Sequence, residues 1–229
     1  RVNGVENQYN QLKKTHTRMG TNNSAQRPIV HLGGTNNAGK TAFLIRLGLS
    51  KFNEEYKGEI VDSITTTSTV GTNREETTLK GVRVAMVERS GGLKAYGLYR
   101  YINDPNTPKM LVYIVDSKTP SPNEKNLMTN TKLLFRYIVG DETISCGADK
   151  NLVPCDLSAD VPILVLANKQ DLEGGFTASQ VADHLGLREY MASKFPGREW
   201  ACLPLSLKTG EGLDGVVNWI SSHVGRKTR

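Results

Sequence analysis

The sequence predicts an α/β fold of three layers, a six-stranded and mostly parallel sheet with about five helices on its two faces. Short apolar runs alternate with amphipathic segments from Pro28 onward, and the runs at 110–115 and 162–167 are apolar throughout, as strands covered on both faces are. Between an apolar run at 29–32 and another at 42–47 lies Gly34-Thr35-Asn36-Asn37-Ala38-Gly39-Lys40-Thr41, which fits G-x-x-x-x-G-K-[ST] in a strand, glycine-loop, helix setting. Doubly wound sheets of this kind take their ligands at the carboxyl ends of the strands.

Residues 1–27 are polar and without an apolar face of helical spacing, and read as a tail or a partner-binding extension. The first strand is expected at 29–32 and the first helix from Thr41 to about Lys51. A polar, Thr-rich stretch follows from 53 to 73. Two runs at 76–79 and 82–87, separated by Lys80-Gly81, predict an antiparallel hairpin. A short helix is expected over 94–102, and the run at 110–115 is a buried strand ending at Asp116-Ser117. From Asn123 to about Val139, Leu127, Met128, Leu133, Leu134, Tyr137 and Ile138 recur at three-and-four spacing, the mark of a core-facing helix. The polar segment 140–159 has no periodicity and reads as a surface insertion. The strand at 162–167 precedes Thr177-Ala178-Ser179-Gln180, a capping box that starts a helix. A last strand at 201–205 and a closing helix on Leu213, Val216, Val217, Ile220 and Val224 complete the domain at 28–225, before a basic tail at 226–229.

At 229 residues, 38% apolar and 23% charged, the composition is that of one well-buried domain. No apolar run approaches the roughly 18 residues needed to cross a bilayer. The chain opens on Arg1 rather than Met, so an anchor or lipidation site would lie upstream. The net charge is +6, but Lys and Arg are scattered apart from Lys13-Lys14 with Arg18 and the tail. No nucleic-acid partner is expected, while the basic ends are compatible with an acidic membrane surface. Cys146, Cys155 and Cys202 are too few and too irregularly spaced for a disulfide framework or zinc site, which points to a reducing, cytoplasmic setting.

The glycine loop carries the first chemistry. Such a loop turns backbone N–H groups around a phosphate, Lys40 reaches the outer phosphates, and Thr41 can bind magnesium. The competing reading is an ordinary strand-to-helix turn. Asn168-Lys169-Gln170-Asp171, directly after a buried strand, then selects the base. The Asp171 carboxylate can accept from both N1–H and the exocyclic amino group of guanine, donors that adenine does not present, so an adenine-using ATPase or kinase fits poorly. Lys169 can lie over the ring and Asn168 can tie the base loop to the phosphate loop. Ser206-Leu207-Lys208-Thr209-Gly210-Glu211-Gly212 stands where a second base-binding loop belongs, with Leu207 in a place usually held by Ala. That residue is tolerable if its side chain points away from the base.

These motifs resemble the small GTPases of the Ras superfamily, specifically the Arf and Arf-like branch, over roughly 28–224. The resemblance rests on Asn37-Ala38-Gly39-Lys40-Thr41, on Thr69-Val70-Gly71 as the first-switch T-I-G, and on Leu166-Ala167-Asn168-Lys169-Gln170-Asp171-Leu172. It implies the P-loop small-GTPase fold, binding of GTP or GDP with Mg²⁺, and effector or scaffold partners at the switches. The implied nucleotide-binding residues are Gly34, Asn36, Asn37, Ala38, Gly39, Lys40, Thr41, Thr69, Gly91, Asn168, Lys169, Asp171, Ser206, Leu207 and Lys208. The implied metal ligands are Thr41, Thr69 and Glu88.

The second switch departs from the family. Ungapped counting from Gly71 sets Glu88-Arg89-Ser90-Gly91-Gly92 on its W-D-V-G-G-Q element, so that Glu88 replaces the magnesium-holding aspartate and Gly92 the water-orienting glutamine. A shift of one residue instead sets Arg89 on the aspartate and Leu93 on the glutamine. Either register removes the amide that positions water, and phosphoryl transfer depends heavily on positioning. The expected function is therefore a GTP- and Mg²⁺-bound interaction module with weak or absent hydrolysis, held at a membrane surface or in a stable complex. The alternatives are a GTPase that cycles with an activating protein in trans, and the Arf-like β subunit of the signal recognition particle receptor.

Overall fold

A computed structural model of the chain describes residues 27–48, 72–89, 109–118, 125–139, 157–158 and 160–224. Its strands are β1 (Ile29–Gly33), β2 (Thr72–Leu79), β3 (Val82–Arg89), β4 (Lys109–Asp116), β5 (Ile163–Asn168) and β6 (Trp200–Pro204). Its helices are α1 (Lys40–Arg46), α2 (Lys125–Ile138), α3 (Ala178–Leu185), α4 (Leu187–Lys194) and α5 (Leu213–Val224). The strand order is β2-β3-β1-β4-β5-β6, in which only the β2–β3 hairpin is antiparallel. The six-stranded, mostly parallel sheet with five helices among the described residues is the fold that the sequence predicts.

Strand periodicity sorts the core into two layers. Leu111, Tyr113, Val115, Ile163, Val165 and Ala167 point to one face and pack with α2, α3 and α4. Val30, Leu32, Val84, Met86, Val112, Ile114, Leu164 and Leu166 point to the other, under α1 and α5. Because both faces are covered, β4 and β5 read as continuous apolar runs.

Several boundaries differ from those the sequence suggests. α1 stops at Arg46, and Gly48 turns left-handed (φ 73°) two residues later. β2 begins at Thr72, so the end of the polar stretch pairs with Glu88 and Arg89. Cross-strand pairing there overrides composition. In α2, Leu133 is 39% exposed while Phe135 is buried edge-on against Tyr113. The helix beginning after Thr177 breaks at Gly186 (φ 65°) into α3 and α4. The far end of the segment expected as a surface insertion is anchored: Leu157 is buried, and the Arg198 guanidinium donates to the Leu157 and Ser158 carbonyls at 2.9 and 2.8 Å. The helix expected over 94–102, the tails at 1–26 and 225–229, and most of that insertion lie outside the described residues.

Candidate guanine-nucleotide site

After β1 the chain crosses to β2 and β3 on one side and then returns to β4 on the other, so the loops that leave β1 and β4 diverge at their carboxyl ends. Residues 34–39 occupy that divergence. Gly34 (φ 137°) passes so close to β4 that a Cβ would stand 2.3 Å from the Ile114 carbonyl oxygen. Gly39 (φ 105°) caps α1, and a Cβ there would stand 2.4 Å from Asn168 Nδ2. Asn37 is left-handed as well (φ 61°). Asn36 and Asn37 are exposed at the tip, whereas Ala38 is buried in the core beneath.

Lys40 folds back into the loop, donating to the Gly34 and Thr35 carbonyl oxygens at 3.0 and 2.8 Å. Burial pushes its ammonium down to about 8, against a smaller upward pull from Glu88. A buried cation held by neutral carbonyls, in a cradle too tight for a Cβ at two positions, suits an anion such as a phosphate chain.

Beside it, the Thr41 hydroxyl donates to Glu88 Oε1 at 2.7 Å. Val84, Met86 and Glu88 alternate along β3 onto the α1 face, and Glu88 is 1% exposed. Glu88 is therefore the β3 residue that meets Thr41. A hydroxyl and a carboxylate are hard oxygen donors of the kind magnesium takes one or two at a time, alongside phosphate oxygens.

The base side is built on the end of β5. Asn168 Nδ2 donates to the Ala38 carbonyl at 2.9 Å, and its Oδ1 accepts from Leu207 N–H at 3.1 Å, so one amide ties three loops together. Lys169 is left-handed (φ 69°), with its ammonium on Asp116 Oδ2 at 2.6 Å. Asp171 accepts from the Ser206 hydroxyl at 2.7 Å. The Leu207 side chain packs into the core below the phosphate loop, which answers its departure from Ala. Lys208 is exposed at the rim.

The structure thus gathers Gly34, Asn36, Asn37, Ala38, Gly39, Lys40, Thr41, Glu88, Asn168, Lys169, Asp171, Ser206, Leu207 and Lys208 along one edge of the sheet. Thr69, Gly91 and Gly92 lie outside the described residues, as do Tyr96, Tyr99 and Tyr101 of the second switch. His31 is buried in β1, in line with a packing role. Sequence reasoning missed Asp116 as the partner of Lys169. Its signal was available, since an acidic residue ends the strand next to β5, in register with Asn168. It also missed Arg46, whose guanidinium reaches the 207–208 backbone across 161 residues of chain, with no local signature.

A glycine phosphate cradle joined through one asparagine to an N-K-Q-D loop, on a sheet of this order, defines a P-loop guanine-nucleotide-binding domain. The family model of the ADP-ribosylation factor family matches residues 12–224, and the chain belongs to that family. It is 28% identical over 191 residues to ADP-ribosylation factor-like protein 1 of Drosophila melanogaster, covering 82% of this chain and 84% of that protein. It is 29% identical over 194 residues to ADP-ribosylation factor-related protein 1 of Homo sapiens, covering 84% and 83%. The fold matches the Arl6 (BBS3) small GTPase from Trypanosoma brucei, solved with the nucleotide analogue GppNp, at a TM-score of 0.62 and 20% identity, over 89% of this chain and all of that one.

Proposed function

We propose that this Arf-like GTP-binding protein holds GTP with Mg²⁺ as a binding module and hydrolyses it slowly or not at all. The observation that carries the reading is the Thr41–Glu88 hydrogen bond at 2.7 Å. It favours the register in which Glu88 stands for the family's magnesium-holding aspartate, and four residues on that register sets Gly92 on the glutamine. Glycine has no amide to orient a water molecule. The bound nucleotide would supply an electrophilic phosphorus and its magnesium would neutralise developing charge.

The chain's own groups would bind and orient. Gly34 and Gly39 keep the cradle narrow, Lys40 gives its ammonium to the outer phosphates, and Thr41, Glu88 and Thr69 offer oxygens to the metal. Asp171 and the Lys208 N–H group would read the guanine edge, with Lys169 over the ring, while Leu207 N–H stays on Asn168. Effector or scaffold proteins would bind at the switches, and the polar extension at 1–27 offers a further contact. A cytoplasmic protein docked on a membrane surface or in a complex fits this reading.

Single-turnover hydrolysis of bound GTP, with and without cell extract, tests it. Ras alone turns over on the order of 10⁻⁴ per second, and a slower rate is expected here. Gly92→Gln should raise it. A wild-type rate that extract strongly stimulates would show a cycling GTPase and overturn the proposal.

A further inference from the structure

We infer that Arg46, at the far end of α1, is a positioning residue for base selection. This rests on the guanine-site reading above. Arg46 is followed by 160 residues before its partner, yet its Nε donates to the Leu207 carbonyl at 2.6 Å and its Nη2 to the Lys208 carbonyl. A guanidinium presents parallel N–H donors in a rigid fork, and two successive carbonyls of one loop match that fork.

Each of the two carbonyls shares its peptide with an N–H of the base loop. The Leu207 carbonyl shares its peptide with Lys208 N–H, one of the groups assigned to the base. The Lys208 carbonyl shares its peptide with Thr209 N–H, which donates to Ser206 Oγ at 3.1 Å. Ser206 in turn donates to Asp171 Oδ1 at 2.7 Å. A guanidinium on the carbonyl of a peptide fixes the plane of that peptide and so the direction of its N–H. Arg46 therefore positions the base-reading carboxylate through a chain from Lys208 carbonyl to Thr209 N–H to the Ser206 hydroxyl to Asp171.

The same contact closes a ring. Leu207 N–H is held by Asn168, Asn168 is held to Ala38, and Ala38 leads through the start of α1 to Arg46, which holds the Leu207 carbonyl. The peptide groups flanking Leu207 are fixed on both sides by residues tied to the phosphate loop. Base contact and phosphate contact are thereby set by one rigid frame, and Arg46 is the link that no motif of the sequence contains.

The test uses the full chain and four nucleotides: GDP, inosine diphosphate, which lacks the 2-amino group that Asp171 would accept from, xanthosine diphosphate and ADP. Affinities are measured by calorimetry for the wild type, Arg46→Ala, Arg46→Lys and, as a control for general destabilisation, Thr177→Ala on α3. The wild type should prefer GDP to inosine diphosphate. Arg46→Ala should weaken GDP about tenfold, as loss of a charge-assisted hydrogen bond does, and weaken inosine diphosphate less, so that the ratio of the two falls. Arg46→Lys, which can meet one carbonyl, should fall between, and Thr177→Ala should leave the ratio unchanged. Arg46→Ala/Ser206→Ala should discriminate no worse than Ser206→Ala alone. If Arg46→Ala does not fold, Arg46→Lys carries the comparison. An unchanged ratio in the folded Arg46 variant overturns the inference and leaves the guanine site standing. A wild type that binds ADP or xanthosine diphosphate as well as GDP overturns the guanine reading, and the inference with it.

Discussion

Lys40 is the residue whose chemistry depends most on its surroundings. Burial lowers its ammonium to about 8 from an ordinary 10.5, more than Glu88 restores. Between those values the unfolded chain keeps a proton that the folded chain sheds, so this residue's contribution to stability rises with pH through that window. Nucleotide binding follows the opposite sign, because phosphates need the ammonium and would hold its proton. Affinity for GDP should be flat from pH 6.5 to about 8 and then fall, approaching tenfold per pH unit, with proton uptake visible in calorimetry as a buffer-dependent heat. A flat profile to pH 9 would show that Lys40 does not touch the ligand. Gly39 makes a steric counterpart: Gly39→Ala sets a Cβ 2.4 Å from Asn168 Nδ2 at φ 105°. Strain of about 1–3 kcal/mol is expected, together with loss of the Asn168–Ala38 tie. Nucleotide affinity should drop at least tenfold, and an unaffected Kd would mean that the two loops are not coupled there.

At the scale of the element, what the sequence made legible was local. Thr177 and Gln180 sit three residues apart and do form the reciprocal cap of α3, with Gln180 N–H on the Thr177 hydroxyl at 3.3 Å and Thr177 N–H on Gln180 Oε1 at 2.9 Å. Thr177→Ala should cost about 1 kcal/mol, read as a lower urea midpoint at constant m-value. A loss below a few tenths would mean that α3 is held by packing alone. Phosphate loop, base loop and buried strands are equally local signals, and all were readable. Where an element's fate depends on a distant partner, the sequence was silent. Apolar spacing put Leu133 on the inner face of α2, but the edge contact with Tyr113 selects Phe135. Composition put Thr72 and Asn73 in a loop, but pairing with β3 draws them into β2. Arg46 was overlooked for the same reason, since it acts on a loop 161 residues away, whereas Asp116 was visible as the acidic end of the strand beside β5.

For the molecule as a whole, the sheet holds the phosphate and base loops at the carboxyl ends of β1, β5 and β6, with β4 between β1 and β5, and ligand and fold should stabilise each other. Gly33, Asp116, Asn168 and Pro204 end β1, β4, β5 and β6, four strands that lie side by side in parallel register. A ligand that spans from Lys40 to Asp171 would bridge loops that are otherwise joined through Asn168 and the Arg46 clasp. A ligand binding the native state alone adds RT ln(1 + [L]/Kd), about 4 kcal/mol at a thousandfold excess over Kd. For a chain of this size that corresponds to a Tm rise of roughly 8–16 °C. GDP or GTP with Mg²⁺ should produce that rise at concentrations where ATP produces none. EDTA should shrink the GTP shift more than the GDP shift, because the third phosphate would offer magnesium a further oxygen. Asp171→Asn should move the preference toward xanthosine nucleotides, whose 2-carbonyl can accept from the new amide. Equal shifts with ATP and GTP in the wild type would remove the base site from this edge of the sheet, whatever the phosphate loop holds.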